Sequence, residues 1–218
     1  MSKTVLSFGL TPGDIAMGCG GSLTLLTDQG WNAVNIFCAY SGENLNMLAK
    51  EARLAAKILG VAEVGFLLAD PGSELFGRET VVRAARLIRK HRPEVIFTFS
   101  SQDPSPDRYG LNCCVHTAVQ AAADPNIKDL EEEPTQVLTV FGFEIAPPLT
   151  KFDHAVNVSE TIDRKIEAIN CYETFLGSRV GEALQGLACY RGRMSDAGEY
   201  AEVFEILHGR HDPFRDWD

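Results

Sequence analysis

Val5-Leu6-Ser7-Phe8-Gly9-Leu10-Thr11-Pro12-Gly13-Asp14-Ile15-Ala16-Met17-Gly18-Cys19-Gly20-Gly21 begins as a strand and ends as a helix. VLSF (5–8) is a short, nearly continuous apolar run, the form a strand takes when both of its faces are covered. Glycines and a proline break it. From Gly21 to Gly30 apolar residues recur on one helical face until Gly30 ends the pattern. The alternation then repeats. VNIFCA (34–39), VGFLL (64–68) and VIFTF (95–99) read as further buried parallel strands. Between them, Leu48–Leu59 carries Ala and Leu at helical spacing up to Gly60. Arg78–His91 sets Val81, Val82, Ala85, Leu87 and Ile88 on one broad stripe, and Pro93 stops it. Leu111–Ala123 is a fourth helix, closed by Asp124-Pro125.

Parallel strands need crossovers, so this order predicts a Rossmann-like α/β domain with a mainly parallel sheet flanked by helices. A single domain over residues 1–218 suits the length. Asp129–Glu133 reads as an exposed acidic linker. The part from about 135 to 218 is expected to complete the pocket wall. It contains a strand at Val137–Glu144, a short strand near Ala155–Val158, and a helix from its cap Ser159 to about Thr174. In such sheets ligands bind beyond the carboxyl ends of the strands. Those ends fall at Gly9–Gly13, Tyr40–Asn44 and Ser100–Gly110.

Hydrophobic residues make up 45% and charged residues 23%, which supplies a sizeable core in an ordinary globular chain. No apolar run approaches the ~20 residues of a membrane span. The N-terminal run is too short for a signal peptide, so a cytoplasmic location is expected. A net charge of −10 argues against nucleic acid, which needs clustered Lys and Arg. The basic cluster Arg83, Arg86, Arg89, Lys90 and Arg92 has helical spacing and reads as a solvated face. Six cysteines form no C-x-x-C pair and read as reduced, buried thiols, Cys38 within a core strand.

Leu10-Thr11-Pro12-Gly13-Asp14 with the glycine-rich turn after it, the helix motif Glu51-Ala52-Arg53-Leu54-Ala55-Ala56, the stretch Ser105-Pro106-Asp107-Arg108 and the closing Tyr200-Ala201-Glu202-Val203-Phe204 are together similar to motifs of the LmbE/PIG-L family of zinc-dependent N-deacetylases. That family opens with A-H-P-D-D-x-E and a glycine-rich turn. This chain has Leu10-Thr11-Pro12-Gly13-Asp14-Ile15-Ala16 and then Met17-Gly18-Cys19-Gly20-Gly21. Ser41-Gly42-Glu43, Glu51-Ala52-Arg53-Leu54-Ala55-Ala56-Lys57-Ile58-Leu59-Gly60-Val61 and Arg92-Pro93-Glu94-Val95-Ile96 resemble its later landmarks. Ser105-Pro106-Asp107-Arg108 stands where the family has H-P-D-H. Val156-Asn157-Val158-Ser159, the Lys165, Ala168, Tyr172 spacing and Tyr200-Ala201-Glu202-Val203-Phe204 match V-D-I-S, K-x-x-A-x-x-x-Y and Y-A-E-x-F. The resemblance runs from about Thr4 to Leu207.

It implies a site of two imidazoles and a carboxylate on zinc, with an aspartate as general base on the bound water. Carried over by position, the ligands would be Thr11, Asp14 and Arg108, the base Gly13, and the oxyanion residue Ser105. Only Asp14 and the supporting Asp107 survive. A guanidinium has no lone pair to give a metal, and Gly13 cannot take a proton. No zinc cofactor and no metal ligand set is therefore expected. Departures gather at Leu10, Thr11, Gly13, Ala16, Ser105 and Arg108, while scaffold motifs persist. Phe175 replaces the family's frequent Gln, and Cys189 an expected Arg. The pattern suggests a remodelled pocket on a deacetylase scaffold, engineered or repurposed by evolution. One alternative is a natural pseudoenzyme that binds a small sugar-like ligand or a partner. Another is a residual hydrolase of N-acetylglucosamine-type amides, with an atypical metal held by Asp14, Asp107 and a loop His. A homo-oligomer is the resemblance-based expectation.

Catalytic candidates are Ser105, Asp107, Arg108 and Cys189. Ser41 and Cys113 are further nucleophile positions, and His154 and His116 possible bases. The blander readings are a silent thiol at Cys189, a packed helix residue at Cys113 and a surface ring at His154. Asp14 reads as a helix cap, and Arg108 is expected to pair with Asp14 or Asp107. His91, His208 and His211 carry no signal beyond the surface, His91 as a partly cationic ring at a helix end. The aromatics of the tail His211–Asp218 read as exposed and suited to a neighbouring subunit.

Overall fold

VLSF grows into β1 (Thr4–Gly9), buried at every position. It runs between two parallel neighbours, β2 (Asn32–Tyr40) and β4 (Val95–Phe99), which is why its apolar run does not alternate. The computed structural model describes residues 2–40, 45–69, 76–172, 176–177 and 179–214. Outward from the centre, β3 (Glu63–Ala69) pairs with β2 and β5 (Thr139–Phe143) with β4, both parallel. Two antiparallel pairings finish the sheet. β7 (Ala201–Gly209) joins β5, and β6 (His154–Asn157) joins β7, giving the order β3-β2-β1-β4-β5-β7-β6.

The strand order reverses at β1 and β4, so right-handed crossovers send the helices to opposite faces. α1 (Pro12–Asp28), α2 (Leu45–Ile58) and α5 (Ile162–Asn170) pack together, and α6 (Val180–Ser195) packs on α5. α3 (Arg78–His91) packs on α4 (Pro106–Ala123). Two helices start earlier than their apolar stripes suggest. α1 begins at Pro12 and α4 at Pro106, because each has proline in its first turn, where the missing N–H costs nothing. α5 is preceded by Thr161, not Ser159, as its N-cap residue; the Ser159 hydroxyl donates to Asn157 Oδ1 at 2.6 Å instead. Pattern did not announce α6 or β7: three glycines interrupt the helix, and Glu202 and Glu205 the strand.

Aromatic rings fill the core between β4, β5 and β7. Phe97, Phe141 and Phe204 lie 5.2–5.5 Å apart, and Phe99 meets Phe143 edge-on at 4.9 Å. Each such ring adds about 1.5–3 kcal/mol by leaving water. α1 comes down on this layer through Gly18. A Cβ there would sit 2.2 Å from the Phe143 ring, so no other residue permits the approach.

α1 is kinked at Cys19, whose φ of −142° and ψ of 19° are not helical. The break exposes the N–H groups of Gly21 and Ser22, and Glu202 accepts both, at 2.9 and 2.8 Å. The Lys165 ammonium completes the carboxylate's partners at 2.6 Å. Both side chains are buried. The K-x-x-A-x-x-x-Y and Y-A-E motifs thus meet to cap an internal helix start.

Several surface expectations give way to packing. Arg89 is buried, and its guanidinium donates to the carbonyls of Ala122, Asp124, Leu130 and Glu132, so the acidic linker is tied down by α3. Of the rest of the basic cluster, Arg86, Lys90 and Arg92 are exposed and Arg83 is half-buried. The His91 side chain is 8% exposed, and burial lowers its pKa, against the expected partly cationic ring. His154 is not a surface ring: it stacks on Phe141 and Phe214 and lies 3.4 Å from Asp212. Phe214 therefore docks within its own chain, and Trp217 lies outside the described residues. Cys113 is exposed, contrary to the packed reading, while its neighbour Cys114 is buried, because only Cys114 falls on the inward face of α4.

Candidate functional site

The switch point of the sheet sets the carboxyl ends of β1 and β4 side by side. A helix starts just beyond each. Thr11, with extended φ and ψ of −111° and 154°, leads into α1. Asp14 sits in the first turn, and its Oδ2 accepts the N–H groups of Leu10 at 3.1 Å and Thr11 at 2.5 Å. This is a capping arrangement, with the carboxylate at the positive end of the helix. Asp14 is 2% exposed, and that burial raises its pKa; the N–H bond from Thr11 and the charge of Arg108 pull the other way.

Arg108 comes from the first turn of α4, where the helix dipole disfavours a cation. Carboxylates compensate. One guanidinium nitrogen lies 3.7 Å from Asp14 Oδ1 and another 3.3 Å from Asp103 Oδ2. The latter also donates to the Ala146 carbonyl at 3.2 Å, and the guanidinium lies 5.3 Å from the centre of the Phe99 ring. The Arg108–Asp14 pairing joins α4 to α1 across the switch point. Asp107, the other expected partner, faces solvent because the helix turns it away. Asp103 takes its place, held by a turn in which its Oδ1 accepts the Ser105 N–H at 2.9 Å.

Gly13 is buried, and a Cβ on it would meet Leu176 Cδ1 at 3.0 Å. An apolar side chain therefore covers the place where a residue 13 side chain would project. Ala16 is buried one turn further along α1. Ser105 serves as the residue before α4. Cys189 is half-buried on α6, and Arg191, two residues on, is the one that reaches inward. Arg191 binds Glu144 through two hydrogen bonds of 2.9 and 2.6 Å and donates to the Leu149 carbonyl at 2.7 Å. Glu144 accepts the Leu149 N–H at 2.5 Å. This buried pair anchors the 144–149 loop beside the site. Its partners are 47 residues apart, and no local pattern links them. The sequence reading missed Asp103, which the Asp103-Pro104 turn signal could have marked; Leu176 carried no signal.

The alternative bases do not converge here. His154 is stacked beside β7, and His116 is half-buried on α4, 3.1 Å from Gln120. Ser41 and Phe175 lie outside the described residues. Among the described residues no three of His, Cys, Asp and Glu come together in a way that could hold a metal ion. The proposed trio of Asp14, Asp107 and a histidine is not assembled, because Asp14 is buried while Asp107 faces out. What the arrangement does chemically is fix one cation between two carboxylates at the head of two helices. No described helix is long and apolar enough to cross a membrane.

Comparison with known proteins agrees with this architecture. Diacetylchitobiose deacetylase of Thermococcus kodakarensis is 26% identical over 229 residues, covering 95% of this chain and 84% of that protein. The crystal structure of the conserved protein TT1542 from Thermus thermophilus superposes with a TM-score of 0.86 at 25% identity, covering 97% of each chain. GalB, the 4-carboxy-2-hydroxymuconate hydratase of Pseudomonas putida, has a TM-score of 0.82 at 22% identity, covering 96% of this chain and 98% of its own. Residues 12–124, which carry both helix heads of the site, match the family described as PIG-L, GlcNAc-PI de-N-acetylase, and the chain belongs to that family.

Proposed function

We propose that this chain is a PIG-L scaffold that does not act as a zinc N-deacetylase and whose remodelled strand-end pocket binds a small molecule. One observation carries the reading: Arg108 stands at a position where the family resemblance requires a metal ligand, and its guanidinium is engaged by Asp14, Asp103 and the Ala146 carbonyl. The donor set does not fit zinc. Arginine offers no lone pair, Asp14 spends one oxygen on two N–H groups, and Thr11 supplies no imidazole. The base is missing too, since Gly13 has no side chain and Leu176 covers it. Amide hydrolysis through a bound water would need all of these parts. That GalB is a hydratase supports the view that this fold accommodates more than one reaction.

The test is metal content. Protein purified without chelator, incubated with zinc and desalted, is expected to hold far less than one zinc per chain and to release no acetate from N,N'-diacetylchitobiose. Stoichiometric zinc that disappears in Asp14→Ala would overturn the reading. The Thr11→His/Arg108→His variant restores two imidazoles beside Asp14 and is expected to gain zinc. The resemblance also supports a homo-oligomer, which light scattering measures directly.

A further inference from the structure

A cleft of about 660 Å³ opens beside Gly13, between the loop after β5 and helix α6. Its size is that of a small-molecule site. Met17 and Leu176 line it near α1, Ile145 and Pro148 on the loop side, and Leu184 and Leu187 along α6. One lining residue is charged, Arg179 at the head of α6. Arg179 is exposed and makes no ion pair with any described residue. Its guanidinium is thus available to an acidic ligand at the rim, whereas Arg108 and Arg191 nearby are already engaged by carboxylates.

We infer that this cleft binds an amphipathic acid, with the apolar body between α6 and the 145–148 loop and the carboxylate at Arg179. The wall chemistry selects the body, since it offers aliphatic side chains and few polar groups. The rim selects the head. A guanidinium pairs with a carboxylate in planar, two-bond geometry, and a neutral or cationic head gains nothing there. The inference deepens the proposal above by naming the ligand class. The two fail separately, because zinc content tests that reading and fatty-acid affinity tests this one.

Decanoate, decanol and decylamine are the probes, titrated against the full chain by displacement of the fluorescent anion 8-anilinonaphthalene-1-sulfonate. Decanoate is expected to bind most tightly. Arg179→Ala should weaken decanoate about fivefold, the upper range for a solvent-facing ion pair, and leave decanol unchanged. Arg179→Lys should recover part of the loss. Ala183→Trp, which fills the cleft from α6, should abolish binding of all three, with circular dichroism reporting that the fold survives. Equal affinity for decanoate and decanol, or decanoate binding that persists in Ala183→Trp, overturns the inference. So does an oligomer that dissociates in Ala183→Trp while decanoate affinity is unchanged, since the cleft would then be a seam between copies.

Discussion

Two ion-pair centres flank helix α1, and they differ in what they hold. At the strand ends, Arg108 bridges Asp14 and Asp103, partly open to solvent, with its side chain 23% exposed. Behind the Cys19 kink, Lys165 and Glu202 are sealed at 4% and 3%. The inner pair takes up the backbone N–H groups of Gly21 and Ser22 just past the kink. In the proposed reading the outer pair stands where metal ligands have been replaced, while the inner pair keeps the motif residues that the resemblance expects. The difference teaches that part of a family signature is architecture: Lys165 and Glu202 cap a broken helix, whatever happens at the mouth.

The largest effect should come from the inner centre. Glu202→Ala strands a buried ammonium and leaves Gly21 and Ser22 unsatisfied, a loss of about 3–5 kcal/mol. Urea denaturation measures it, and a loss below ~1 kcal/mol would break the comparison. Arg108→Met should cost less, about 1–2 kcal/mol, because Asp14 keeps its two N–H bonds and water reaches the mouth. Equal losses in the two variants would erase the distinction.

The third expectation concerns pH. Burial raises the folded pKa of Asp14 above its ordinary 3.8. The stability that its proton confers is present below pH 3.8 and lost as pH rises through the folded value. Asp14→Asn, which still accepts N–H bonds, should therefore show a flatter stability profile than the parent above pH 3.8. An unchanged slope would mean that the Thr11 N–H bond and the charge of Arg108 balance burial. The smallest effect should lie away from both centres. Burial lowers His91 below 6.5, so its stability is present above pH 6.5 and lost as pH falls through the folded value. His91→Gln should remove that acid-side loss, although Glu63, 3.9 Å away, reduces it. Unfolding midpoints at a series of pH values test both.

The parallel half of the fold was legible because buried strands and amphipathic helices carry period in the chain itself. Arg78–His91 falls on α3 end to end. Helix starts at Pro12 and Pro106 were not, since first turns owe their geometry to caps and proline more than to apolar period. Arg89 looked like its neighbours in a basic stripe, and only the fold supplies the four carbonyls that bury it. At the site, Asp14 as a cap and Arg108 beside it followed from residue chemistry. Asp103 instead of Asp107 depends on a local turn five residues before Arg108, whereas Leu176 over Gly13 depends on where segments distant in sequence meet.

The contact between Gly18 and the Phe143 ring leaves α1 no freedom to slide. The helix behaves as a ruler fixed to the sheet, and its first turn is always presented at the same height over β1 and β4. Residues 11, 13 and 108 can then be exchanged without moving the frame that carries them. Such a frame separates the evolution of chemistry from the evolution of fold, and it makes this chain a ready host for grafting a different set of side chains into the same three positions.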